Sequence, residues 1–85
     1  MTALPALSGE VLEELRVLMR FNPDCSQQGI KVHHSTAPVE VVAATGRLHA
    51  KGLITQPDGG YLTSLGQRAL DHARALLLIL QPRLH

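Results

Sequence analysis

Arg47-Leu48-His49-Ala50-Lys51-Gly52-Leu53-Ile54 and, a short step further on, Gly60-Tyr61-Leu62-Thr63-Ser64-Leu65-Gly66-Gln67-Arg68-Ala69-Leu70 are the stretches whose reading decides the fold. Gly52 follows Lys51 where a helix can stop in the left-handed conformation that suits glycine. Leu53-Ile54-Thr55 and Tyr61-Leu62-Thr63 flank Pro57-Asp58-Gly59-Gly60, a strong turn signal, so residues 53–63 read as a two-stranded hairpin. Thr63 or Ser64 then caps a last helix over 64–80, which carries Leu65, Ala69, Leu70, Ala73, Leu76, Leu77 and Leu80 and stops before Pro82. Upstream, Pro38 has no amide hydrogen to lose in a first helical turn. A helix over 38–52 starts there, with Val41, Ala44, Thr45 and Leu48 on one face.

Earlier still, Ser8 is placed to cap a helix over 8–21, in which Val11, Leu12, Leu15, Leu18 and Met19 recur at helical spacing. Asn22-Pro23-Asp24 ends it. Residues 26–34 have two readings. A short helix buries Ile30 and one of His33 and His34; a short strand alternates Ile30 and Val32 with Lys31 and His33. Gly29 weakens the helix by about 1 kcal/mol, but the helix starting at Pro38 just downstream favours a helical element here. The expected order is therefore helix, short element, helix, hairpin, helix: mostly α with a small β-hairpin, an α+β chain.

The remaining arithmetic is consistent with one domain over residues 1–85. Hydrophobic residues make up 45% and charged residues 18%, which opposes disorder. Aromatics are 2%, Phe21 and Tyr61, too few for base-stacking platforms on single-stranded nucleic acid. The one cysteine, Cys25, excludes an intramolecular disulfide and a multi-cysteine zinc site. The longest apolar run, Leu76-Leu77-Leu78-Ile79-Leu80, falls far short of the roughly 20 residues that span a bilayer. No basic region precedes an apolar stretch at the N-terminus, so a cytoplasmic protein without a signal peptide is expected.

The segment Arg47 to Ile54 resembles the "R-L-x-x-K-G-L-I" end of a recognition helix in winged helix-turn-helix proteins, and Gly60 to Leu70 resembles their "Y-x-L-T-x-x-G-x-x-A-L" after the wing, with one residue fewer between Tyr and Leu. Gln27-Gln28-Gly29-Ile30-Lys31-Val32-His33-His34 resembles a Gln-Gln-Gly-x-Lys-Val-His-His stretch in small proteobacterial winged helix-turn-helix proteins of unknown function. The chain also resembles the longer MarR-like regulators. The resemblance implies a winged helix-turn-helix with an additional C-terminal helix. It also implies a DNA-binding protein, a small transcriptional regulator acting as a homodimer on double-stranded DNA.

Charge is distributed unevenly. Residues 1–25 carry Glu10, Glu13, Glu14 and Asp24 against Arg16 and Arg20, a balance of −2, while residues 26–85 balance to +3. Arg47 and Lys51 stand four apart near the helix end and suit phosphate contacts, with Ser35 and Thr36 at the helix entrance and Lys31 as a further cation. The outward positions of that helix are poor in base readers: Val39, Glu40, Val42, Ala43, Gly46 and Ala50 surround Arg47 alone, and Asp58 leaves the wing turn without a cation. The alternative is a winged-helix protein–protein interaction module that does not bind DNA. A positive face shared by Arg47, Lys51 and the hairpin tip favours DNA; neutralisation by carboxylates favours the module.

Leu76, Leu77, Leu78, Ile79 and Leu80 are expected to form a dimer interface, because a small domain covers only one stripe of a helix. The other possibility is a cover from Leu4-Pro5-Ala6-Leu7. His33, His34 and Cys25 read as structural residues rather than metal ligands. With no paired carboxylates, glycine-rich phosphate loop or nucleophile motif, neither enzyme activity nor a cofactor is expected.

Overall fold

The computed structural model describes residues 7–25 and 27–82. Ser8 caps the first helix, α1 (Gly9–Leu18), by accepting from the Val11 amide at 3.2 Å. Met19 closes α1, and the Arg20 and Phe21 amides turn back onto the Val17 and Leu18 carbonyls, so the helix stops short of the expected residue 21. Phe21 is nevertheless buried.

The segment expected as a short helix contains instead a short strand, β1 (Ile30–Lys31). Its partner explains the correction: Ile30 and Lys31 pair antiparallel with Gly60 and Gly59 of the distant hairpin. Ser26, the first residue of that expected element, lies outside the described residues. The second helix, α2 (Val39–Ala50), runs between Pro38 and Lys51 and leads through Gly52, at φ +80°, into the hairpin. The hairpin strands are β2 (Ile54–Gln56) and β3 (Gly59–Leu62). The sheet has the order β1-β3-β2, so the hairpin is two-thirds of a three-stranded antiparallel sheet. A register irregularity lies between Ile54 and Gln56, where the Thr55 hydroxyl accepts from the Tyr61 amide at 3.0 Å.

The last helix is α3 (Ser64–Leu80), with the bounds expected from the sequence. Thr63 caps it, accepting from the Gly66 amide at 3.0 Å and donating to the Gly52 carbonyl. Gly66 sits against the Leu53 carbonyl; a Cβ there would lie 2.0 Å from that oxygen. This close approach seats the start of α3 on the hairpin.

The architecture is α+β: three helices and a small antiparallel sheet, with α2 packed against α1 and against β2. Val17, Leu18, Phe21, Val32, Val41, Ala44, Leu48, Ile54 and Leu70 form the core. Thr45 is fully buried and donates its hydroxyl to the Val41 carbonyl at 2.7 Å, which satisfies it. Gly66 and Leu70, in the first half of α3, are buried, whereas Leu76, Leu77, Leu78, Ile79 and Leu80 are exposed. Leu7 is exposed as well, and residues 4–6 of its segment lie outside the described residues.

Candidate interaction surfaces

α1 carries Glu10 and Glu14 one helical turn apart, and the end of α2 presents Arg47 and its C-cap Lys51 at the same spacing. Packing of the two helices brings these pairs together. Arg47 Nε donates to Glu14 Oε2 at 2.9 Å, and Lys51 Nζ donates to the other Glu14 oxygen. Arg47 also reaches Glu10, at 3.4 Å from the carboxylate and 3.3 Å from the backbone carbonyl. Glu14 is a buried charged residue, 6% exposed. Burial alone would raise its carboxyl pKa, but hydrogen bonds and charge from Lys51 and Arg47 outweigh that and hold it below its ordinary value.

Arg47 and Lys51 therefore stand together, as their spacing predicts, but on the side of α2 that meets α1. Both residues, expected from the sequence to suit phosphate contacts, close onto Glu14, with the Arg47 side chain 30% and the Lys51 side chain 53% exposed. The outward positions of α2 are instead Val39, Glu40, Ala43 and Ala50. Val39, at 81%, is the most exposed large apolar residue described.

The hairpin tip carries a second, exposed ion pair. Lys31 Nζ bonds to the Asp58 carboxylate at the hairpin tip, and the Lys31 hydrogen bond holds the Asp58 carboxyl below its ordinary value. Ser35 and Thr36 are exposed in a turn before α2 rather than capping it. The Thr36 amide bonds to the His33 carbonyl at 3.0 Å, so it is not open to a ligand. The five residues assigned to DNA thus divide into two places: Arg47 and Lys51 on the α1–α2 seam, and Lys31, Ser35 and Thr36 along the segment leading into α2. Arg47 and Lys51 are each paired with Glu14, and Lys31 is paired with Asp58 at the hairpin tip.

The second surface is the far end of α3. Its last turn is apolar on nearly every side, from Leu76 to Leu80, and all five side chains are exposed. An open groove beside it is lined by Met19, Leu77, Leu78 and Leu80, with Arg74 and Gln81 at its rim. Arg74 also approaches Asp24 at 3.7 Å. Sequence reasoning missed Glu10 and Glu14 as partners of the α2 cations. Their matching four-residue spacing was the available signal.

Among the described residues, no three His, Cys, Asp or Glu side chains are grouped to hold a metal ion, and no helix is long and apolar enough to cross a membrane. No curated protein and no solved structure matches the chain. A family model does match, over residues 5–81, and with that coverage the chain belongs to DUF5669, a family of unknown function.

Proposed function

We propose that this chain is a winged-helix protein-interaction module whose contact surface is the exposed end of α3. The observation that carries this reading is the closure of Arg47 and Lys51 onto Glu14. Phosphate binding gains its free energy by releasing counterions from the backbone as cations replace them. A lysine or arginine already neutralised by a buried carboxylate has little to offer that exchange. Lys31 is paired as well, with Asp58, though that pair is exposed and weaker. The uncharged run from Ala75 to Pro82, by contrast, gains by leaving water. Self-association through this exposed end of α3 is the form of contact this reading favours.

A second reading, a DNA-binding transcriptional regulator, draws on one observation. α2 feeds directly into the hairpin and keeps Val39, Glu40, Ala43 and Ala50 clear of the core, as a groove-entering rod requires. Fluorescence anisotropy on a labelled duplex at about 50 mM salt separates the two. The interaction module shows no binding tighter than the non-specific level of roughly 10⁻⁴–10⁻⁶ M. Saturable binding clearly tighter than about 10⁻⁶ M, weakened by salt and by Arg47→Gln with Lys51→Gln, would favour the regulator instead.

A further inference from the structure

We propose that α3 pairs with the α3 of a second copy, antiparallel, along a stripe that runs the length of the helix rather than only its end. This rests on the interaction-module reading and names its partner. Leu65, Ala69, His72, Leu76 and Ile79 succeed one another at spacings of four, three, four and three, the pattern of a helix–helix seam. None of the five is buried; Leu65 is 45% exposed, Leu76 55% and Ile79 79%. The stripe lies beside the direction of Gly66 and Leu70, which face the core; Ala69 is half-buried against that core, while Leu65, His72, Leu76 and Ile79 are exposed to a neighbour.

The stripe complements itself under a two-fold axis at His72. In that register Leu65 lies opposite Ile79 of the second copy, and the small Ala69 lies opposite the large Leu76. A parallel pairing would instead oppose Ala69 to Ala69 and leave a gap. The charges permit the antiparallel arrangement. Arg68 borders the stripe, but the two copies of Arg68 are separated by roughly 12 Å along the helix axis. Asp71 and Arg74 lie on the other side of the helix.

The area also suits a copy of this chain. Leu65, Leu76 and Ile79 expose on the order of 300 Å² of apolar stripe. With Ala69 and His72 that is about half of the ~800 Å² that one partner contributes to a standard interface, the scale of a weak pair. A symmetric pair uses the patch on both sides at once, and its closed geometry stops at two chains.

The test is sedimentation equilibrium of the full chain at about 100 µM. The expected species has twice the 9.2 kDa chain mass. Leu76→Glu and Ile79→Glu are expected to sediment as folded monomers. Leu78→Glu, roughly 140° round the helix from the middle of the stripe, is expected to stay dimeric. In a Cys25→Ser background, a short bismaleimide is expected to link Leu65→Cys of one chain to Ile79→Cys of another, and to link neither variant to itself. A wild-type monomer overturns the pairing, as does dissociation by Leu78→Glu to the same extent as by Ile79→Glu, or self-linking of Ile79→Cys. These failures are distinct from failure of the interaction reading, which duplex-DNA binding alone would displace.

Discussion

Replacing Glu14 with glutamine removes the charge that holds Arg47 and Lys51 while keeping the side-chain shape. In the native chain the carboxylate accepts from both cations and is 6% exposed. Removing one partner of a fully buried pair costs about 3–5 kcal/mol. Here the cations can recover water, because their side chains are 30% and 53% exposed, and solvent screening weakens the pair. Two charge-assisted hydrogen bonds that become weaker neutral ones then bring the expected loss to about 2 kcal/mol. For a domain of this size that is a fall in Tm of about 10 °C. Arg47→Gln leaves Lys51 on Glu14 and should cost about half as much, and the double-mutant cycle should show a coupling of about 1 kcal/mol. The pH dependence has a definite sign. The folded-state pKa of Glu14 is depressed, so its contribution is complete above the ordinary value of 4.5, falls as pH drops through the folded-state value, and is absent below it. Urea denaturation of wild type and Glu14→Gln from pH 7 to pH 3 measures both quantities. A loss below about 0.5 kcal/mol at neutral pH, the range of ordinary surface changes, or a wild-type advantage that persists unchanged in acid, would refute this picture of the seam.

Other perturbations probe the rest of the molecule. Gly66→Ala would improve helix propensity, but its Cβ would meet the Leu53 carbonyl at 2.0 Å; a net loss of about 1–3 kcal/mol is expected by thermal unfolding. Leu70→Ala should cost about 2–5 kcal/mol because the side chain is fully buried, whereas Leu78→Ala should fall within about 0.5 kcal/mol when measured on the monomer. Thr63→Ala removes the α3 cap and the tie to Gly52, a loss of about 1–2 kcal/mol by denaturant titration. The Asp58 carboxyl should titrate below 3.8 by NMR, and Lys31→Ala should move its midpoint back up.

The helices and the wing were legible because local chemistry specifies them. Pro38 and Gly52 bracket α2, Thr63 opens α3, and Pro57-Asp58-Gly59-Gly60 makes the turn. β1 was not, because nothing within residues 26–34 shows that Gly59 and Gly60 will pair with them; a two-residue strand exists only through its partner. The candidate site divides in the same way. Spacing placed Arg47 and Lys51 on one face, but which face meets α1 depends on how two helices dock. The excess of acid in residues 1–25 and of base in residues 26–85 was visible as arithmetic. Its physical expression is an ionic seam between α1 and α2, formed by side chains more than 30 residues apart in the chain. The exposed end of α3 was readable because five consecutive apolar residues cannot all face one core.

Backbone amides of ¹⁵N-labelled protein, observed by NMR first on dilution and then on addition of duplex DNA at low salt, decide between an interaction module and a DNA-binding regulator. The interaction module predicts dilution shifts in the exposed end of α3, extending along Leu65, Ala69 and His72 for the antiparallel pair, and no DNA-dependent shifts at Arg47 or Lys51. DNA-dependent shifts centred on Ser35, Thr36, Arg47 and Lys51, with α3 unchanged on dilution, would contradict it.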